Sequence, residues 1–333
     1  MRVLGKPLEA SVPRFLSEMK RTRVRLMPWI RLGISAAAAA CLFWRLSPGA
    51  LRLALWNFDA QQLLPALSCA AAMLAVRAYK WHQLLDGGTK GVQPRDSFRS
   101  LLGGFALGVV IPGRLGELGR CLFSVESDRP RVALLNLLDR ALDSWALLTC
   151  GVASLFLVAP RPVAVFGIAV WLAALPLAVG LPTLISALAR LPRWPKRMGA
   201  QLAAAASTLT RVRTPRFAIL SLGSTCLDLM LLFFLLRGFQ QVDFAVALAT
   251  FPWIVMAGGL PISLSGLGVR EGAAALLLAR YALPPAAAVN VALLLFLFSA
   301  LLPAALGGIW LLADRQWLRT NWSSDLETLR GPA

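Results

Sequence analysis

Long apolar runs alternate with short basic segments along this chain. Runs of membrane-spanning length fall at 29–47, 61–79, 142–160, 163–189, 217–236 and 286–312. About 20 apolar residues in a helix cross the hydrocarbon core of a bilayer, so each run predicts one span. Two further apolar stretches are interrupted. Residues 98–113 read FRSLLGGFALGVVIPG, and residues 244–283 enclose GGLPISLSGLG, which cannot continue a helix. Both predict re-entrant or broken helices.

Lysine and arginine gather at alternate ends of these runs. Segments 1–28, 80–99, 190–216 and 313–333 together carry 21, and segments 48–60, 160–161 and 237–243 together carry 3. The positive-inside rule then puts the first group in the cytoplasm. Spans 61–79 and 142–160 thereby end and start on the inside, so the piece between them enters and leaves from that face. Stretch 244–283 enters and leaves from the outer face by the same logic. The two halves become span, broken helix, span in opposite orientations. The expected fold is an all-α polytopic membrane helix bundle with two re-entrant segments in an inverted repeat. Its parts are a basic cytoplasmic segment (1–28), one transmembrane domain (29–312) and a cytoplasmic tail (313–333). No cleavable signal peptide is visible before the first run. The expected location is the inner (plasma) membrane, with both termini cytoplasmic.

Composition narrows the class. Of 333 residues, 58% are hydrophobic and 15% charged, with a net charge of +18. A soluble domain could not cover that much apolar surface, and a disordered chain has the opposite balance. A nucleic-acid binder would be basic but would lack long uncharged runs, so no nucleic-acid partner is expected. Five scattered cysteines read as small buried apolar residues, and the lone His82 leaves no basis for a histidine metal site. No cofactor is expected. Trp29, Trp81, Trp194, Trp310 and Trp317 fall at predicted inner boundaries, where indole rings favour the interface.

Ionisable residues at membrane depth carry the chemistry. Each costs about 2.5–3.5 kcal/mol at a helix centre, so they persist where they pair or line a cavity. In PGRLGELGR, Arg114, Glu117 and Arg120 are three apart and share a helical face. In NLLDRALD, Asp139 and Asp143 are four apart, with Arg140 beside them, at the expected start of a span. In GLGVREG, Arg270 and Glu271 open a half-helix whose free N–H groups suit a phosphate, with Ser263 and Ser265 as extra donors. Asp228 sits mid-span, and Arg77 lies near a span end, from which it can snorkel.

The order RAYKWHQLL, SFRSLLGGFALGVVIPGRLGELGR, LLDRALD, GGLPISLSGLGVREGA resembles the lysylphosphatidylglycerol synthase transmembrane-region family, over roughly residues 60–310. The resemblance implies that Arg114, Glu117, Arg120, Asp139, Arg140, Asp143, Arg270 and Glu271 occupy motif positions. Ser265 stands where relatives often have glycine. Some members are fused to a soluble aminoacyl-transferase that makes lysyl-phosphatidylglycerol; there the membrane region is associated with moving the lipid between leaflets. This chain is similar to the stand-alone, flippase-like kind. The reading that follows is translocation of an anionic, phosphate-bearing lipid through a charged midplane cavity, with those eight residues binding substrate and membrane lipids as partners. Two alternatives remain at this point. One is a membrane-embedded transferase using Asp139 or Asp143 as base; the other is a non-transporting scaffold with a lipid-modifying enzyme as partner.

Overall fold

The computed structural model describes residues 48–86, 91–110, 119–124, 129–189, 214–260 and 263–313. Ten helices follow one another among these residues. They are α1 (Pro48–Trp56), α2 (Leu63–Asp86), α3 (Pro94–Val110), α4 (Arg129–Val158) and α5 (Arg161–Ala189). The second half holds α6 (Thr214–Phe239), α7 (Phe244–Gly259), α8 (Val269–Ala279), α9 (Pro285–Phe296) and α10 (Leu302–Ala313). A π-helical turn, Leu297–Leu301, joins α9 to α10. No strand occurs among the described residues. Four helical segments are long and apolar enough to cross a membrane: Ala60–Asp86, Arg131–Val158, Pro215–Phe239 and Pro285–Trp310. The predicted run 29–47, the basic segment 1–28 and the tail beyond residue 313 lie outside the described residues.

The halves are related by an inversion that the side chains record. Phe58, just before α2, faces Phe239 at the end of α6, and along the two helices Arg77 faces Asp228 and Lys80 faces Ser221. The numbers rise on one helix as they fall on the other, so α2 and α6 run antiparallel. Exchanging the halves also maps one packing onto another: α2 packs on α3 as α6 packs on α7, and α3 packs on α10 as α4 packs on α7. This is the inverted arrangement expected from the charge pattern.

Several elements differ from the sequence reading. Within stretch 98–113, Gly103 and Gly104 do not interrupt the helix, since α3 runs for 17 residues through both, and the break expected at Pro112-Gly113 lies outside the described residues. The glycines serve contact there. A Cβ on Gly103 would strike the Phe123 ring, and one on Gly104 the Arg120 side chain. Helix α4 starts at Arg129, well before the expected 142, so Asp139 and Asp143 lie near the middle of 30 helical residues. Stretch 244–283 does break: α7 stops at Gly259 and α8 starts at Val269. The turn between them places Ser265 at φ 50° and Gly266 at φ 76°, and a Cβ on Gly266 would meet the Gly258 backbone.

Trp81 is fully buried inside the bundle. Cys150 is buried, but Cys69 and Cys121 are half-buried and Cys226 is exposed; the expectation of uniformly buried thiols fails because α6 turns Cys226 outward. Buried apolar side chains form two clusters. One gathers Ala66 and Ala70 of α2 with Leu229–Leu236 of α6 and parts of α7, α8 and α9. The other gathers Trp81, Leu84 and Leu85 with Leu101, Leu135, Leu142 and Phe217. They occupy opposite ends of the α2–α6 pair, and a layer of charge lies between them.

Close packing of α10 on α3 depends on one glycine. A Cβ on Gly307 would run into the Leu102 carbonyl, whereas Gly308 faces open space. Gly307→Ala is expected to lower stability by about 1–3 kcal/mol, because backbone cannot step aside as a side chain can. Gly308→Ala should change little. Thermal unfolding of the detergent-purified protein compares the two.

Candidate functional site

The charge layer is built at matching depth on four helices. Helix α2 supplies Arg77 and Lys80, which are three residues apart and therefore on one face. Helix α4 supplies Asp139, Arg140 and Asp143; α6 supplies Asp228; and the first turn of α8 supplies Arg270 and Glu271. Arg120 enters from the short 3₁₀ segment that follows the first break.

Lys80 ties the layer together. Its ammonium lies 2.7 Å from Asp139 Oδ1 and 2.5 Å from Asp143 Oδ1, and it donates to Ser221 Oγ at 2.8 Å. One buried cation thus joins α2, α4 and α6. Arg120 Nη1 donates to Asp139 Oδ2 at 2.8 Å, and its guanidinium lies 5.0 Å from the centre of the Trp81 ring. Arg140 reaches both carboxylates of its own helix, 3.2 Å to Asp139 Oδ2 and 3.3 Å to Asp143 Oδ2. Gly104 leaves the space through which the Arg120 side chain passes. A glycine pair that looks like a helix break is therefore a double slot, for the Phe123 ring at Gly103 and for a buried cation at Gly104.

Arg77 does not snorkel as expected. It turns inward and pairs with Asp228 Oδ2 at 2.5 Å. A carboxylate in the middle of an apolar span needs a counter-ion within reach, and the antiparallel packing of α2 on α6 brings one. Arg270 and Glu271 pair with each other at 2.5 Å. Glu271 Oε2 also accepts from the Gly268 backbone N–H at 2.6 Å. The start of α8 therefore has its own carboxylate, which occupies the N-terminal N–H position where an external phosphate was expected to sit. The Arg270 guanidinium stacks 4.3 Å from the centre of the Phe296 ring.

The two serines act differently from expectation. Ser265 Oγ lies 2.6 Å from the Val109 carbonyl and 3.3 Å from that of Gly108, so it donates to the last turn of α3. It fastens the turn between α7 and α8 to the end of α3, and its hydroxyl is committed to that bond. Ser263 Oγ is buried without a hydrogen-bond partner among the described residues.

A cavity of about 400 Å³ opens against this layer. Arg77, Arg140, Asp143, Asp228 and Arg270 line its polar side. Phe105, Leu147, Phe251, Val255 and Leu295 line its apolar side, and Ser299 of the π-helical turn reaches it as well. Nη1 of Arg77 and of Arg270 takes no part in the ion pairs described above. Among the described residues, no three His, Cys, Asp or Glu side chains gather where they could hold a metal ion.

Of the expected site residues, the structure brings Arg120, Asp139, Arg140 and Asp143 into one cluster, which meets the cavity through Arg140 and Asp143, and sets Arg270, paired with Glu271, on the cavity wall. Arg114 and Glu117 lie outside the described residues. Sequence reasoning missed Lys80, which it assigned to a cytoplasmic segment, and it kept Arg77 and Asp228 apart. Arg99, counted with the same segment, is also buried, in α3. The available signal was the i, i+3 spacing of Arg77 and Lys80, which sets both cations on one face of an otherwise apolar helix.

No curated protein matches the chain. A family profile described as the lysylphosphatidylglycerol synthase TM region matches residues 29–307, which takes in every charged group of the layer. The chain is therefore a membrane protein that belongs to the lysylphosphatidylglycerol synthase transmembrane-region family.

Proposed function

We propose that this protein moves an anionic, phosphate-bearing lipid between the leaflets of the inner membrane. The head group passes through the charged cavity and the acyl tails stay in the bilayer. The termini face the cytoplasm, as the basic segments require. One observation carries the reading. Arginines from both halves of an inverted repeat line a single cavity at mid-bundle, and two of them keep donors outside their ion pairs. A guanidinium offers five N–H donors in a fork that suits phosphate oxygens. The volume falls in the range of small-molecule pockets, about 300–1,000 Å³. The apolar side of the cavity matches the glycerol backbone and the first methylenes of a lipid.

The layer does not resemble the base of a transferase. Asp139 is held by Lys80, Arg120 and Arg140, and Asp143 by Lys80 and Arg140. Both carboxylates are committed to counter-ions within the layer, so the transferase reading has no observation to carry it.

The test is reconstitution. Purified protein in liposomes is expected to speed transbilayer movement of fluorescent phosphatidylglycerol at least about tenfold over protein-free vesicles, with the recovered lipid unchanged in mass. Folded protein that speeds no anionic lipid overturns the proposal. A lipid of altered mass would point to the transferase.

A further inference from the structure

Three described residues bring a hydroxyl to the central cavity: Ser144, Thr225 and Ser299. Two of them are spent on their own helices. Ser144 Oγ donates to the Arg140 carbonyl at 2.8 Å, and Thr225 Oγ1 donates to that of Ser221 at 2.9 Å. This is the common fate of a hydroxyl inside a helix, where the carbonyl three or four residues back lies within reach. Thr149, Ser154, Ser224 and Thr250 follow it as well. Ser299 departs from it. Its hydroxyl makes no hydrogen bond among the described residues, although it lies in the apolar segment Pro285–Trp310. The backbone beneath it is the π-helical turn Leu297–Leu301, across which the Leu302 N–H reaches five residues back to the Leu297 carbonyl. Such turns are rare and gather at functional sites. A hydroxyl held away from water costs free energy until a partner reaches it.

The rest of the polar wall narrows what that partner is. Asp143 and Asp228, the carboxylates on the wall, each already hold a cation. A ligand ammonium would have to compete with Lys80, Arg140 or Arg77 for them. The arginines donate and cannot accept, so they suit a phosphate and leave a ligand hydroxyl without an acceptor. A serine hydroxyl both donates and accepts, and it carries no charge to be neutralised. We infer that Ser299 determines which substituent on the phosphate the cavity prefers: it bonds an uncharged hydroxyl there, while the arginines hold the phosphate. The π-helical turn serves this role by leaving the Ser299 side chain to the cavity and not to its own helix. The inference rests on the function proposed above and adds a selectivity to it. Substituents with a hydroxyl are favoured over those ending in a methyl or an ammonium group.

Native mass spectrometry of the full chain in detergent tests the inference with short-chain probes. Dihexanoylphosphatidylglycerol and dihexanoylphosphatidylpropanol carry the same charge and the same three-carbon substituent, and only the first has hydroxyls on it. The wild type is expected to bind the glycerol probe about tenfold more tightly, the worth of one hydrogen bond. Ser299→Ala should bring the glycerol probe down to the propyl probe and leave the propyl probe unchanged. Ser299→Thr keeps the hydroxyl and should keep the preference. A preference that survives Ser299→Ala overturns the inference. So does an equal loss on both probes, which would mean that Ser299 shapes the cavity and does not read the ligand. Wild-type protein that binds dihexanoylphosphatidylethanolamine as tightly as the glycerol probe also overturns it. Wild-type protein that binds neither anionic probe overturns the head-group cavity itself, an outcome distinct from a cavity that binds both probes alike.

Discussion

Arg270→Gln is expected to lower lipid movement about 100-fold in proteoliposomes. Hydrogen bonds to a charged group contribute about 1.5–3 kcal/mol each, and this guanidinium can offer the head group more than one. Arg270 is nearly fully buried, its acidic partner among the described residues is Glu271, and it lines the cavity with Arg77 and Arg140. Truncation also strands Glu271, so loss of activity alone could reflect misfolding. The double variant Arg270→Gln/Glu271→Gln separates the causes. It should recover thermal stability and remain inactive in transport. Wild-type transport by the double variant would remove Arg270 from the ligand site. Arg52→Ala, on the exposed α1, should transport normally.

Lys80→Met is expected to cost about 3–5 kcal/mol of stability, the penalty for removing one partner of a buried ion pair. The figure is high because one ammonium serves two carboxylates. Asp139 and Asp143 would be left a helical turn apart, with Arg120 on Asp139 and Arg140 reaching both. Adding Asp143→Asn to Lys80→Met removes one of the stranded charges and should restore roughly half of the loss. Thermal unfolding in detergent reads both effects. A Lys80→Met protein as stable as the wild type would mean that Arg120 and Arg140 suffice to hold the cluster.

The helices were legible because apolar runs of spanning length have few other uses. The inversion was legible from where the lysines and arginines gather between those runs. Charges inside helices were harder to read. Arg129, Arg131, Asp139, Arg140 and Asp143 look like loop residues, and they delayed the expected start of α4 by more than three turns. Lys80 carries the same charge as the topology signals around it, and only the fold reveals that it points inward to Asp139 and Asp143. The LSGLG break was plain in the sequence. The bonds from Ser265 to Gly108 and Val109 span more than 150 residues of chain, beyond any local pattern. The π-helical turn in LFSAL left no trace, since all but one of its residues are apolar and neither glycine nor proline marks it.

Each arginine on the cavity wall has an acid within reach: Arg77 has Asp228, Arg140 has Asp143, and Arg270 has Glu271. Lys80 shares Asp143 with Arg140, and Lys80, Arg120 and Arg140 share Asp139. Among the described residues the layer thus sets five cations against four carboxylates and keeps one positive charge when empty. Under the proposed function, a singly charged anionic head group brings the loaded layer to neutrality, and a zwitterionic one leaves that charge uncancelled. Any movement of the empty layer through the membrane voltage would then carry electrical work of up to about 2.3 kcal/mol per 100 mV, and the loaded step would carry none.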